Sequence, residues 1–137
     1  GGLITHSLNV VKTLLQLREV LAPDFSEESC VIVGLYHDVG KVGSPGNPLY
    51  LPNLDDDLAR AKKAPYFHNH SLPHIDIPSR SLMLVSRFIP LTDEEAQAIR
   101  YHDGQYIEAN KSVANQEMPL TRLLQYADNW ACGVLEA

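Results

Sequence analysis

Between Ser26 and Gly40 the chain passes through its longest unbroken apolar run, Cys30-Val31-Ile32-Val33-Gly34-Leu35-Tyr36, and then meets His37-Asp38. Ser26 is a good N-cap, Glu27 and Glu28 fall in the first turn where the helix dipole favours acids, and Gly40 stands where a C-cap is expected. A helix over these residues is apolar all round, so it has to lie at the centre of whatever forms around it. It is far short of the roughly 20 residues that a membrane span needs. An ionised Asp at the end of such a helix, left without a partner, costs several kcal/mol. Successive helical side chains point about 100° apart, so at a frayed helix end the two can converge on one cation. A metal ion or a basic group is therefore expected beside them.

The rest of the chain is read around that helix. Residues 3–21 place Ile4, Leu8, Val11 and Leu15 on one face and Val10, Leu14, Leu17 and Leu21 on an adjoining one, which predicts a mostly buried helix stopped by Pro23. Leu82, Val85 and Ile89 share a face in 79–89, and Thr92 with Glu95 forms a capping box for a helix to about Tyr101. Pro119 opens a last helix whose inner stripe is Leu120, Leu124, Ala127, Ala131 and Val134. Tyr101, Tyr126 and Trp130 read as core, and Cys30 and Cys132 as inert buried thiols. Residues 43–79 differ in kind: Pro45, Pro48, Pro52, Pro65, Pro73 and Pro78, six of the nine prolines, lie there. Only 54–64, opened by Asp55-Asp56-Asp57, looks like a short helix in that segment, and a long loop of this sort is usually functional or mobile. With no strand-like alternation and no internal repeat, the fold class is all-α: a bundle of about five or six helices with a long Pro-rich loop, in a single domain over 1–137.

Composition narrows the partners. Seventeen acidic against eleven basic residues give a net charge of −6, which argues against long nucleic acids and anionic membranes. Two cysteines make no disulfide framework, which points to a reducing, cytoplasmic setting. The opening Gly1-Gly2-Leu3-Ile4-Thr5-His6 is not a secretory signal, and the expectation is an excised domain or one lacking an N-terminal segment.

Two other ionisable residues repeat the anomaly of His37-Asp38. His6 falls in the first turn of a helix otherwise buried on that side, and Asp128 interrupts the apolar terminal helix. Each alone has an ordinary explanation, a satisfied histidine or a capped carboxylate. Together they bring imidazole and carboxylate from three helices, a donor set that suits Zn, Mn, Fe, Co or Ni and not a thiolate site.

The ordered pattern His6 … His37-Asp38 … Asp128 resembles the HD-domain superfamily of metal-dependent phosphohydrolases. Residues 1–10 resemble its first-histidine block, Gly34-Leu35-Tyr36-His37-Asp38-Val39-Gly40-Lys41 its central block, Leu91–His102 a later helix of a bacterial and phage-associated branch, and Tyr126-Ala127-Asp128 its closing aspartate. The resemblance implies a helical bundle that holds a divalent ion through His6, His37, Asp38 and Asp128. In some branches two further histidines hold a second ion bridged by the motif aspartate. His102 matches one of these, and His74 is the favoured candidate for the other, with His70 as its alternative and His68 left as a loop residue. One or two divalent transition-metal ions (Fe, Mn, Co, Ni or Zn, with Mg a further candidate) are expected.

The activity that the resemblance implies is hydrolysis of a nucleotide or other small phosphate ester by a metal-bound hydroxide. Lys41 and Arg80 are then expected to bind the anionic substrate, and Asp103 to orient His102 or assist proton transfer. Two other readings stand beside this one: a di-iron oxygenase using the same ligands, and a non-catalytic module that binds nucleotide or metal. A homo-oligomer is compatible with all three.

Overall fold

The computed structural model describes residues 2–54 and 65–137. The helix expected over 54–64, with its three aspartates, lies outside the described residues except for Leu54. Five α-helices are described: α1 (Leu3–Leu21), α2 (Glu27–Tyr36), α3 (Ile77–Ser86), α4 (Asp93–Arg100) and α5 (Pro119–Trp130). Short 3-10 turns cover Val39–Val42 and Glu108–Val113, and a π turn over Ala131–Leu135 prolongs α5. The all-α architecture stands. None of the described helices is long and apolar enough to cross a membrane.

The caps are those that the local sequence demands. Ser26 Oγ accepts the N–H of Ser29 at 3.1 Å, and Thr92 and Glu95 form the reciprocal capping box. Asp76 caps α3 by accepting from Ser79 N–H at 2.8 Å, which starts that helix two residues earlier than its apolar stripe suggests. α1 packs on α2 and α5, α4 packs on α5 and α2, and α3 packs on the Val39–Val42 turn and α4. The shared core is built from Val10 and Leu14 of α1, Cys30 and Val33 of α2, Ala98 and Ile99 of α4, and Leu120, Leu124 and Ala127 of α5.

Several expectations are corrected. α1 is buried along one stripe only, His6, Ser7, Val10, Thr13 and Leu14, while Ile4 is 78% exposed. On the adjoining face Val11 and Leu15 are half-buried, Val11 against Gly34 of α2 and Leu15 against the core, while Ile4 and Leu8 are exposed. Tyr126, Trp130 and Val134 are also exposed: they lie on the outer side of the terminal helix. Cys132 is exposed as well, whereas Cys30 is buried. The Pro-rich segment is not wholly loop, since Tyr50–Pro52 (β1) and Tyr66–His68 (β2) pair antiparallel, Tyr50 opposite His68 and Pro52 opposite Tyr66.

Gly40 serves close packing, not a left-handed cap. The helix ends earlier, on His37, and Gly40 lies in the following 3-10 turn with its N–H donating to Ser81 Oγ at 2.8 Å. A Cβ there would stand 2.3 Å from the carbonyl oxygen of Ile77. Backbone cannot move aside cheaply, so Gly40→Ala is expected to destabilise the fold by about 3 kcal/mol, the upper end of the cost of overpacking. Urea denaturation of the variant checks this.

Candidate metal centre

His37 and His102 are set by the same local device. Each follows the last turn of a helix, where main-chain carbonyls lack partners. His37 Nδ1 lies 2.9 Å from Gly34 O, and His102 Nδ1 lies 2.7 Å from Ile99 O. A carbonyl can only accept, so both Nδ1 atoms carry the proton and both Nε2 atoms face away from the helix that positions them. Asp38 leaves the helical path at φ −110°, ψ 8°, which turns its carboxylate toward the same space. His6 comes from the first turn of α1, one helical turn before Val10, and Asp128 from the inner face of α5.

These side chains meet. His6 Nε2 is 3.2 Å from His37 Nε2 and 3.0 Å from Asp128 Oδ1, and His37 Nε2 is 3.6 Å from Asp128 Oδ1. Asp38 Oδ2 stands 3.7 Å from both of those ring nitrogens, and its Oδ1 stands 3.3 Å from His102 Nε2. Three overlapping groups could each hold an ion: His6, His37 and Asp128; His37, Asp38 and His102; and His102, Asp103 and Asp128. The chemistry of the donor set supports that use. Two Nε2 atoms in contact can share at most one proton, and the carboxylate oxygens around them only accept, so lone pairs converge with too few protons to separate them. Donors bound at about 2.0–2.2 Å around one cation would lie roughly 2.8–3.6 Å apart, close to the spacings observed.

Charge at the site responds to this crowding. Burial favours the neutral form of Asp38, but the hydrogen bond with His102, the charge of His37 and the bond from Lys41 outweigh it and hold the carboxyl well below the usual range. Asp128 is likewise lowered, with burial overcome by the hydrogen bond and charge of His37. Burial opposes the charged form of His102, yet its bond to Asp38 and the nearby Asp103 push its pKa up. Lys41 Nζ sits 2.8 Å from Asp38 Oδ2 and lines the cavity above the cluster.

That cavity has a volume of about 760 Å³. His6, Asp38, Asp103 and Asp128 line it, Lys41 stands on one side, and Tyr50 and Tyr66 reach it from the β1–β2 hairpin. Asp103 lies 3.4 Å from His102 Nε2 and is half-exposed.

Two predicted residues are placed elsewhere. His74 is exposed and, with His68 and His70, lines a neighbouring cavity that shares no residue with the metal cluster. Its segment is held aside: Arg80 donates to Pro73 O at 2.7 Å, and Asp76 is committed to capping α3. Arg80 itself is buried, and its guanidinium donates to Ser44 Oγ at 2.7 Å as well. It ties the loop to α3 and lines His74's cavity, not the one over the cluster. Sequence reasoning missed Glu136, whose carboxylate lies 3.0 and 3.1 Å from His6 Nδ1, and the place of Cys132 on the cavity wall. The four-residue step from Asp128 is the signal that could have found Cys132, since residues four apart share a helix face; Glu136 carries no such signal, because its place depends on the π turn.

Fold and site define an all-α protein with a histidine–aspartate cluster suited to divalent metal. The family model described as HD domain matches residues 3–131, and the chain belongs to the HD domain family. No curated protein and no solved structure matches it significantly.

A ligating imidazole must be unprotonated at the bound nitrogen, so an ion taken up at His102 would displace its proton. Because the pKa of His102 is raised above its ordinary value of 6.5, its stabilisation of the metal-free fold is complete below that value and lost as pH rises through the raised one. Metal-free protein is therefore expected to lose stability above pH 6.5, while metal affinity rises over the same range. Thermal melts, together with calorimetric titrations in buffers of different ionisation enthalpy, check both.

Proposed function

We propose that this chain is a metal-dependent phosphohydrolase acting on a small phosphate ester such as a nucleotide. The observation that carries this reading is the convergence of three imidazole Nε2 atoms and two carboxylates beneath a cavity that also presents one lysine. Membership of the HD family supports it, since that superfamily generally comprises metal-dependent hydrolases. His6, His37, Asp38 and Asp128 are the residues that would hold a first ion, and His102 with Asp38, Asp103 or Asp128 would contribute to a second. An ion bound there supplies Lewis acidity, which makes water a usable nucleophile near neutral pH and draws charge from a phosphate oxygen.

The protein's own residues supply the rest. Lys41 is a point charge at the cavity side, placed to meet a phosphate oxygen once Asp38 is shared with a cation. Asp103, half-exposed beside His102, can take a proton from an attacking water or return one to the leaving oxygen. Leu3, Val42 and Ile77 form the apolar part of the wall and limit the water around the ester. The three-imidazole site differs from the four-histidine set expected for the dinuclear branches, because His74 lies outside it.

Purified protein is expected to carry stoichiometric divalent metal by elemental analysis and to release phosphate from members of a nucleotide and phosphate-ester panel. Asp38→Ala removes metal and turnover together; full activity in that variant would refute the assignment. Lys41→Ala is expected to keep the metal and lower kcat/KM by about 100-fold, the scale of losing one aimed charge. An optical or paramagnetic-resonance spectrum of a coupled di-iron centre, with dioxygen uptake and no phosphate release, would favour the oxygenase reading instead.

A further inference from the structure

Where the residues that the family model covers end, the chain departs from α-helical geometry. α5 passes into the π turn Ala131–Leu135, closed by Glu136 N–H donating to Ala131 O at 3.0 Å. Such turns are rare and occur mostly as single widened turns, frequently at functional sites. Asp128, Cys132 and Glu136 follow one another at four-residue steps, and in an α-helix each such step drifts the stripe by roughly 40°. Two steps would carry Glu136 away from the face that holds Asp128. The wider π turn takes more residues per revolution and reverses that drift.

Glu136 thereby comes to rest on His6, with Oε1 and Oε2 at 3.0 and 3.1 Å from Nδ1, and Asn9 Nδ2 donates to its Oε2 at 3.3 Å. His37 and His102 have their Nδ1 protons fixed by free carbonyls at helix ends. His6 has no such carbonyl, because it lies in the first turn of its helix, and carbonyls are left free only in the last. A side chain from another element has to take over that task.

We propose that Glu136 is the positioning residue that completes this centre: its carboxylate accepts the Nδ1–H of His6 and holds the ring in the tautomer that offers an unprotonated Nε2 to the ion. The proposal rests on the reading of His6 as a metal ligand. Glu136 meets the ring at the nitrogen remote from His37 and Asp128, so it orients a ligand and is not one. A carboxylate in this place also fixes the orientation of the ring toward the ion, and partners of this kind strengthen metal binding.

The test titrates Zn²⁺ and Mn²⁺ into wild type, Glu136→Ala, Glu136→Leu, Glu136→Gln and Asp38→Ala, and reads the His6 tautomer in metal-free protein from long-range ¹H–¹⁵N correlations. Wild type is expected to show Nδ1 protonated and Nε2 bare. Glu136→Ala and Glu136→Leu, the second of which keeps the volume, are expected to lose that preference and about 10–100-fold in affinity. Glu136→Gln keeps an acceptor oxygen and is expected to restore the tautomer with part of the affinity. The proposal is overturned if the Ala and Leu variants melt earlier yet keep wild-type tautomer and affinity, or if Gln restores neither. Wild type that binds no divalent metal, or Asp38→Ala binding as tightly as wild type, overturns the metal reading and this proposal with it.

Discussion

An imidazole that donates to the carbonyl three residues before it decides where two of the three site nitrogens point. His37 and His102 each satisfy a main-chain oxygen that the end of a helix would otherwise leave bare, and that bond turns Nε2 outward. The helices that carry them, α2 and α4, pack on each other and on the core around Ile99 and Val33. The direction of each nitrogen is thus inherited from core packing and not from a loop. His6 and Asp128 extend the same logic, since α1 and α5 pack together and bring these residues to the same end of the bundle. A close-packed interior holds such relations to a few tenths of an ångström, which is the tolerance that a coordination site requires.

Charge sets the second constraint. Asp38, Asp103, Asp128 and Glu136 line the cavity, and Lys41 is the one lysine or arginine among its described lining residues. In a chain of net charge −6, such a pocket repels a phosphate ester as it stands. A site for such an ester would need positive charge brought in, and the lone pairs of His6, His37 and His102 are those that could hold it. The metal reading and the anionic-substrate reading therefore depend on each other: without cations, four carboxylates against one lysine is a poor phosphate site. Lys41 alone cannot reverse the field, because its ammonium is already paired with Asp38 at 2.8 Å.

What could be read in the sequence follows this division. Helices with strong caps and a single apolar stripe, such as the one from Thr92 and the one from Pro119, were visible because their signals are local. His37-Asp38 was visible because two ionisable residues at the end of an all-apolar helix break the pattern around them. His74 misled because a histidine in a Pro-rich loop has no periodicity to fix its direction; its place depends on Arg80 and Asp76, which bind the loop from a distance. Glu136 was hidden for the opposite reason. It looks like an acid at the frayed end of a helix, and only the π turn, which no propensity signals, brings it over His6. The exposure of Ile4, Leu8 and Leu21 on α1 was misjudged because periodicity tells which residues can be buried and not whether a neighbour is there to bury them.

The walls of the cavity are built on different principles from its floor. Tyr50 and Pro52 share a hairpin face with their partners His68 and Tyr66, because paired residues in an antiparallel ladder lie on the same side. Tyr50 and Tyr66 are thereby both turned toward the metal cluster, while Leu51 and Phe67 take the other face. Both rings stand on a two-stranded ladder, and Tyr66 and Tyr50 are exposed. Gly40, Ser81 and Ile99, by contrast, bear on the positions of the cluster residues: Ser81 Oγ accepts the N–H of Gly40 two residues after Asp38, and Ile99 O fixes the ring of His102. The ion-binding geometry of the cluster is consequently tied to the bundle, while the two tyrosines that line the cavity over it come from the β1–β2 ladder.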